Sequence, residues 1–389
     1  MFTPRAVSSI ATMPTNISPP PTPPSRDERR FEPIYSPCEW IERYRPGGYH
    51  PVHLGDTFSD RRYKVLRKLG EGSFSTVWWA HDLKEAKYVV LKILISDPAY
   101  STEETQILHH IFQASPTQAS RHVTKFLDSF DHEGPNGLHK CLVFEAMGPN
   151  VNRMVRELPE FKPRTSDMRI RYPPHMAKSI LKQSLQALAF LHGNGIAHGD
   201  FQPGNILFAL DNIDSKTEES LRQEESVEAD SISPPVTRRD GKQDRWAPRY
   251  LCISQPLTAF TNHSKDIRAK LSDMGGAYYF TRPPIKPLIP VGLRAPELIL
   301  TGEINNIFDI WSFGCLLFEV VTGMRLFLPW AGLYGARQNR MTFIYSNFQL
   351  CLDLCPTNCI NTGKRLRSTL LRNVNCSILN QATVPVGGN

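Results

Sequence analysis

Apolar and polar residues alternate along RYKVLRKLGEGSFSTVWWAHDLKEAKYVVLKIL (62–94), and the alternation ends in a continuous apolar run. A period of two, interrupted by turn residues, predicts three antiparallel strands, the last of them buried. Glu103 and Glu104 follow on a segment where Ile107 and Leu108 predict a helix with an inward face. KCLVFEAMGPN (140–150) predicts a buried strand running into a linker. In PPHMAKSILKQSLQALAFLHGNGIAHGD (173–200) apolar residues recur at helical spacing, between a Pro start signal and a Gly-rich stop. AKLSDMGGAYYF (269–280) opens as a short strand, and NNIFDIWSFGCLLFEVVTG (305–323) reads as a mostly apolar helix.

Composition changes this picture little. The chain has 389 residues, 40% of them hydrophobic, enough for one large domain or two smaller ones. Its net charge of +7 is concentrated beyond Leu328, where Arg337, Arg340, Lys364, Arg365, Arg367 and Arg372 face one acid, Asp353. No basic stripe with interleaved aromatics accompanies it, so direct nucleic-acid binding is not expected. Cys351, Cys355 and Cys359 share a spacing of four but lack a fourth metal ligand, and reduced thiols are the simpler reading. No apolar run reaches membrane-spanning length. The first residues, MFTPRAVSSIATMPTNISPPPTPPS, contain no acid and are weakly like a mitochondrial transit peptide; a disordered Pro/Ser-rich tail is the alternative.

The candidate chemistry lies at four places. Gly70 and Gly72 sit in the first strand turn, where missing Cβ atoms let backbone close over phosphates. Lys92 ends the buried strand, placed to bind phosphates and pair with a helix carboxylate, either Glu104 or Glu103. Phe144 would back an adenine pocket, with the backbone around Glu145 and Met147 bonding the base. Finally, HGDFQPGNIL (198–207) spaces Asp200 five residues before Asn205, and Asp273 opens the later Asp-Met-Gly. Hard carboxylate and amide oxygens suit magnesium.

These motifs, in this order, resemble a eukaryotic protein kinase. YRPGGYHPVHLGDTF, GEGSFSTVW, CLVFEAMG and an insertion containing RRDGK resemble more narrowly the fungal SR-protein kinases. The resemblance implies a two-lobed α+β fold with a small β-rich N-lobe (62–147) and a helical C-lobe (148–327). Residues 39–327 would form the kinase domain, with a polar, acidic and mostly disordered insertion at 210–270. Residues 1–38 would be a disordered tail and 328–389 an atypical one. It implies ATP and Mg2+ as cofactors and serine in Arg/Ser-rich splicing factors as substrate, with a monomer in cytoplasm and nucleus. Asp200 and Gln202 would be catalytic, and Asn205 and Asp273 would hold metal. Gly70, Gly72, Ser73, Val77, Lys92, Glu104, Phe144, Glu145, Met147 and Leu207 would bind nucleotide.

Three departures and a second resemblance accompany it. Gly199 stands where many kinases have an Arg that binds an activation-loop phosphate, which predicts independence from such phosphorylation. Gln202 replaces a Lys beside the transferring phosphate, and losing one electrostatic stabiliser costs about 10²–10³ in rate. The loop also resembles that of aminoglycoside and choline phosphotransferases, but APE (295–297) and DIWSFG (309–314) are protein-kinase features. After Phe327 the sequence shows no sustained helical period and no Glu. A truncated C-lobe is the expectation, leaving Glu297 buried without its usual arginine.

Overall fold

The computed structural model describes residues 28–327, apart from 115–118, 163–167, 169, 211 and 262–266. A six-stranded antiparallel sheet has the order β1-β2-β3-β4-β6-β5. Its strands are β1 (Thr57–Phe58), β2 (Tyr63–Gly72), β3 (Ser75–Asp82), β4 (Lys87–Leu94), β5 (Phe126–Gly134) and β6 (Gly137–Glu145). Between β4 and β5 runs helix α1 (Pro98–Gln113). A linker strand β7 (Met147–Asn150) leads through α2 (Val151–Met154) to the long helix α3 (Pro174–Gly193). Next come β8 (Ile196–Ala197), β9 (Ile206–Ala209), α4 (Glu218–Leu221), β10 (Ala269–Leu271), β11 (Tyr278–Tyr279), α5 (Pro296–Thr301) and α6 (Ile307–Thr322). Short sheets β10-β9-β7 and β11-β8 hold the loops between them.

The continuous apolar run of β4 has a packing cause. Val90 and Leu94 face a core shared with Ile107, Leu108, Ile180 and Leu191. Val89, Leu91 and Ile93 face a second core containing Trp78, Tyr63, Ile232, Tyr250 and Cys252. A strand buried on both faces needs apolar residues at consecutive positions, not alternate ones.

That second core corrects the expected disordered insertion. Among its described residues the segment folds over the sheet: Gln223 donates its N–H to the Leu66 carbonyl at 2.9 Å, and Gln255 donates to Lys68 at 2.9 Å. The acids of 214–230 stay mostly at the surface while Leu221, Ile232, Leu251, Cys252 and Leu257 turn inward. The boundary at residue 39 also moves. Phe31 is buried against Ile41, Tyr44, Tyr49 and Leu251, and Glu32 donates to the Thr237 carbonyl at 2.9 Å. Residues 1–27 and 328–389 lie outside the described part, as do the cysteines at 351, 355 and 359.

Candidate active site

The loop after β8 hangs from one buried carboxylate. Asp309, on α6, accepts the backbone N–H groups of His198 (2.7 Å) and Gly199 (3.0 Å) and contacts His192 Nε2 at 2.9 Å. The sequence reading passed over Asp309 as part of DIWSFG. A single acid in an otherwise apolar helix was the available signal, because a buried charge needs specific partners. Gly199 has φ of +71°, and a Cβ there would lie 2.1 Å from the Gly276 carbonyl oxygen. Glycine is therefore required by close packing, and no arginine fits at this backbone geometry.

Asp200 is thus held against the 273–276 turn. Gln202 Nε2 donates to both its carboxylate oxygens, at 2.8 and 2.9 Å. Asn205 Nδ2 donates to the Asp200 carbonyl at 2.8 Å and to Oδ2 at 2.9 Å. Burial pushes the Asp200 carboxyl above its ordinary range, outweighing His198 and these donors, which favour the charged form. Gln202, expected beside the phosphate, points its amide at Asp200.

Lys92 joins the two lobes. Its Nζ lies 2.6 Å from Glu104 Oε1 and 2.7 Å from Asp273 Oδ1. The pairing decides for Glu104; Glu103 is exposed. Burial acts to lower the Lys92 ammonium, but the two carboxylates hold it above its usual value. Burial raises Glu104, against the pull of Lys92. Asp273 is pushed up by burial and pulled down by Lys92, and ends below the usual range. Its backbone is left-handed (φ 62°, ψ 83°), and its carboxylate accepts the Gly275 N–H at 3.2 Å. Such conformations in non-glycine residues concentrate at functional sites. Ser272 ties this turn to the loop, its N–H donating to the Asn205 carbonyl at 2.8 Å.

Around this centre lie the other expected residues. Val77 pairs with Lys92 across β3 and β4, and Phe144 pairs with Val90. Gly70 and Gly72 close β2, paired with Val77 and Ser75 of β3, and Ser73 opens the turn between the strands. Met147 pairs with Ala209, and Leu207 with Lys270. Glu145 departs in part: its N–H donates to the Lys125 carbonyl at 3.0 Å, so that group is not open to a base. Its carboxylate instead holds Lys270 at 2.6 and 2.7 Å.

The donor set fits a magnesium ion that shares its coordination with phosphates. Asn205 spends its amide nitrogen on Asp200, so its amide oxygen is the atom that would ligate a metal together with the Asp273 carboxylate. Among the described residues no group of three or more His, Cys, Asp or Glu could hold a metal alone. Magnesium is commonly bound by one or two carboxylates plus substrate phosphates. Glu297 is half-buried rather than buried, and makes no ion pair among the described residues.

Comparison with known proteins agrees with this geometry. The Protein kinase domain model matches residues 63–217. The serine/threonine-protein kinase SRPK of Physarum polycephalum is 33% identical over 307 residues, covering 76% of this chain and 68% of that protein. The chain belongs to the SR-protein kinase family. A second such relative, the serine/threonine-protein kinase SKY1 of Saccharomyces cerevisiae, is 34% identical over 71% of this chain. This chain spans 37% of SKY1's length, against 68% of the Physarum relative's. The solved kinase domain of PF14_0431 shares the fold, with TM-score 0.50 and 23% identity, covering 72% of this chain and 70% of that one.

Proposed function

We propose that this chain transfers the γ-phosphate of MgATP to serine in proteins, with Arg/Ser-rich splicing factors as the substrate class. One observation carries the reading. Lys92, Glu104 and Asp273 converge within 2.6–2.7 Å contacts, while Asn205 and Gln202 present Asp200 in the adjacent loop. Asp200 orients the substrate hydroxyl and takes its proton. Lys92 would bind the α/β-phosphates, and Asn205 and Asp273 would hold the metal. Magnesium, when bound, neutralises charge developing on the phosphates. The substrate class rests on family membership and the sequence resemblance; it implies action in cytoplasm and nucleus.

Purified chain with MgATP and an Arg/Ser peptide tests this reading. Phosphoserine should form, and Asp200→Ala should abolish it. Transfer that survives this substitution, or equal use of a Lys/Ser peptide, would refute respectively the assigned base or the substrate class. Phosphatase treatment should leave activity unchanged, since Gly199 offers no cation to a phosphate.

A second reading, a nucleotide-binding module with little turnover, is favoured by Gln202. Its neutral amide satisfies both oxygens of Asp200 and brings no charge to the phosphate. On that reading MgATP raises the melting temperature without transfer, and Gln202→Lys increases transfer by about 10-fold or more.

A further inference from the structure

The YRPGGYHP stretch (44–51) plays no part in the chemistry above, yet it reaches the glycine-rich turn. Tyr49 donates its hydroxyl to the Gly72 carbonyl at 2.5 Å, and Arg43 Nη2 donates to the Ser73 carbonyl. We propose that Tyr49 and Arg43 are positioning residues that hold the 70–75 turn in its phosphate-binding form, so that this N-terminal segment sets ATP affinity. The inference rests on the kinase reading for its ATP consequence, but not for the contact itself.

Peptide geometry links the clamp to phosphate. In a trans peptide the C=O and the following N–H point to opposite sides. Fixing the Gly72 carbonyl toward Tyr49 therefore turns the Ser73 N–H away from Tyr49. Fixing the Ser73 carbonyl toward Arg43 does the same for the Phe74 N–H. Successive N–H groups aimed to one side form an anion-binding concavity. A free glycine turn would have to order these groups when nucleotide arrives, and preordering them lowers that cost.

The two donors are themselves anchored. The Arg43 guanidinium lies 4.7 Å from the centroid of the Tyr49 ring, and the Tyr44 ring packs edge-on to Tyr49 at 5.6 Å. Buried Asn136, in the β5–β6 turn, donates to the carbonyls of Tyr49 (2.5 Å) and Trp246 (2.8 Å). The connection from Arg43 to Tyr49 is tight enough to need Gly48, where a Cβ would sit 2.0 Å from the Arg43 carbonyl oxygen. On the insertion side Ser254 donates to Glu71 at 2.7 Å. Both ends of the clamp thus rest on the body of the protein.

The test uses the full chain and two readouts: hydrogen exchange of peptides covering 70–76, and KM for ATP and for peptide. Tyr49→Phe and Arg43→Ala should each speed exchange in the turn and raise KM for ATP about five-fold, the loss expected for one hydrogen bond. KM for peptide should not move. Arg43→Lys, which keeps a charged donor, should recover part of the affinity. Tyr44→Phe is the control for general loosening: it removes a bond to Glu39 in the same segment but no donor to the turn. It should lower the melting temperature without changing exchange at 70–76. Unchanged exchange in Tyr49→Phe and Arg43→Ala would overturn the clamp. So would equal rises in both KM values that track the melting temperature. If the wild type binds no MgATP, the kinase reading fails, while exchange in the turn still decides whether the clamp exists.

Discussion

Strand β4 and helix α6 are built from the same kinds of residue and end in opposite environments. Leu91 is fully buried, covered by the second core, whereas Ile310, Leu317 and Val321 on α6 are 45–48% exposed. The strand's cover comes from residues more than a hundred positions away, at 232–252. No described residue lies over the outer face of α6, where Ile307 and Met324 extend the same apolar surface. An apolar pattern states that a face favours cover; only distant sequence decides what supplies it. Exposed apolar surface of this kind marks contact sites or sticking hazards.

The contrast can be broken most strongly at the buried pair beneath the insertion. Lys68 Nζ is ion-paired to Glu39 and donates to the Cys252 carbonyl at 3.1 Å, with no exposure to solvent. Glu71, partly exposed, lies 3.3 Å from the same ammonium, so Glu39→Ala removes the nearer and more deeply buried of its two carboxylates and should cost at most about 3–5 kcal/mol in a denaturant melt. Glu39→Leu with Lys68→Met should recover most of the loss, since an apolar pair of similar size replaces the charges. A single substitution that melts like wild type would show the pair is not closed to water.

Leu91→Ala is next, at about 2–5 kcal/mol for a core truncation. Its partner experiment is the smallest effect in the series: Leu317→Ala on α6 should cost under about 0.5 kcal/mol, as exposed substitutions do. Equal losses at the two positions would mean that α6 is covered in solution.

Between these falls a dependence on pH. His50 packs within 5 Å of both His132 and His139, ring centroid to ring centroid. Burial, with the other two rings adding to it, pushes His50 down to about 3, and burial also lowers His132 and His139. The unfolded chain then binds more protons than the folded one below about 6.5. Stability should be complete above that pH and fall as pH drops toward 3, by about 2 kcal/mol at pH 5 from His50 alone. Melting curves at pH 7.5 and 5 check the fall, and His50→Phe should flatten it.

Much of the centre was legible from spacing alone. Lys92, Asp200, Asn205 and Asp273 each follow a pattern that local structure makes: a buried strand end, a five-residue loop gap, a short strand before an acid. The cover of the sheet was not legible, because Leu221 and Ile232 stand singly among acids and turn residues, and the run from Tyr250 to Ile253 is too short to name its partner. Gly199 was visible as a missing cation, whereas its role in packing depends on the Gly276 carbonyl, 77 residues later. Gln202 could be read as a lost charge; that its amide would grip Asp200 depends on side-chain direction, which spacing does not carry.

The pairing of Phe31 with Arg238 has a consequence for synthesis. Strands β2 to β4 leave the ribosome complete, but Tyr250 and Cys252 follow Leu91 by about 160 residues. At roughly 5–20 residues per second that delay is about 10–30 seconds. Throughout it, one side of the nascent sheet and the waiting 30–50 segment present bare apolar surface. A chaperone that holds such surfaces would meet this chain at that stage, and release it once the insertion closes the seam.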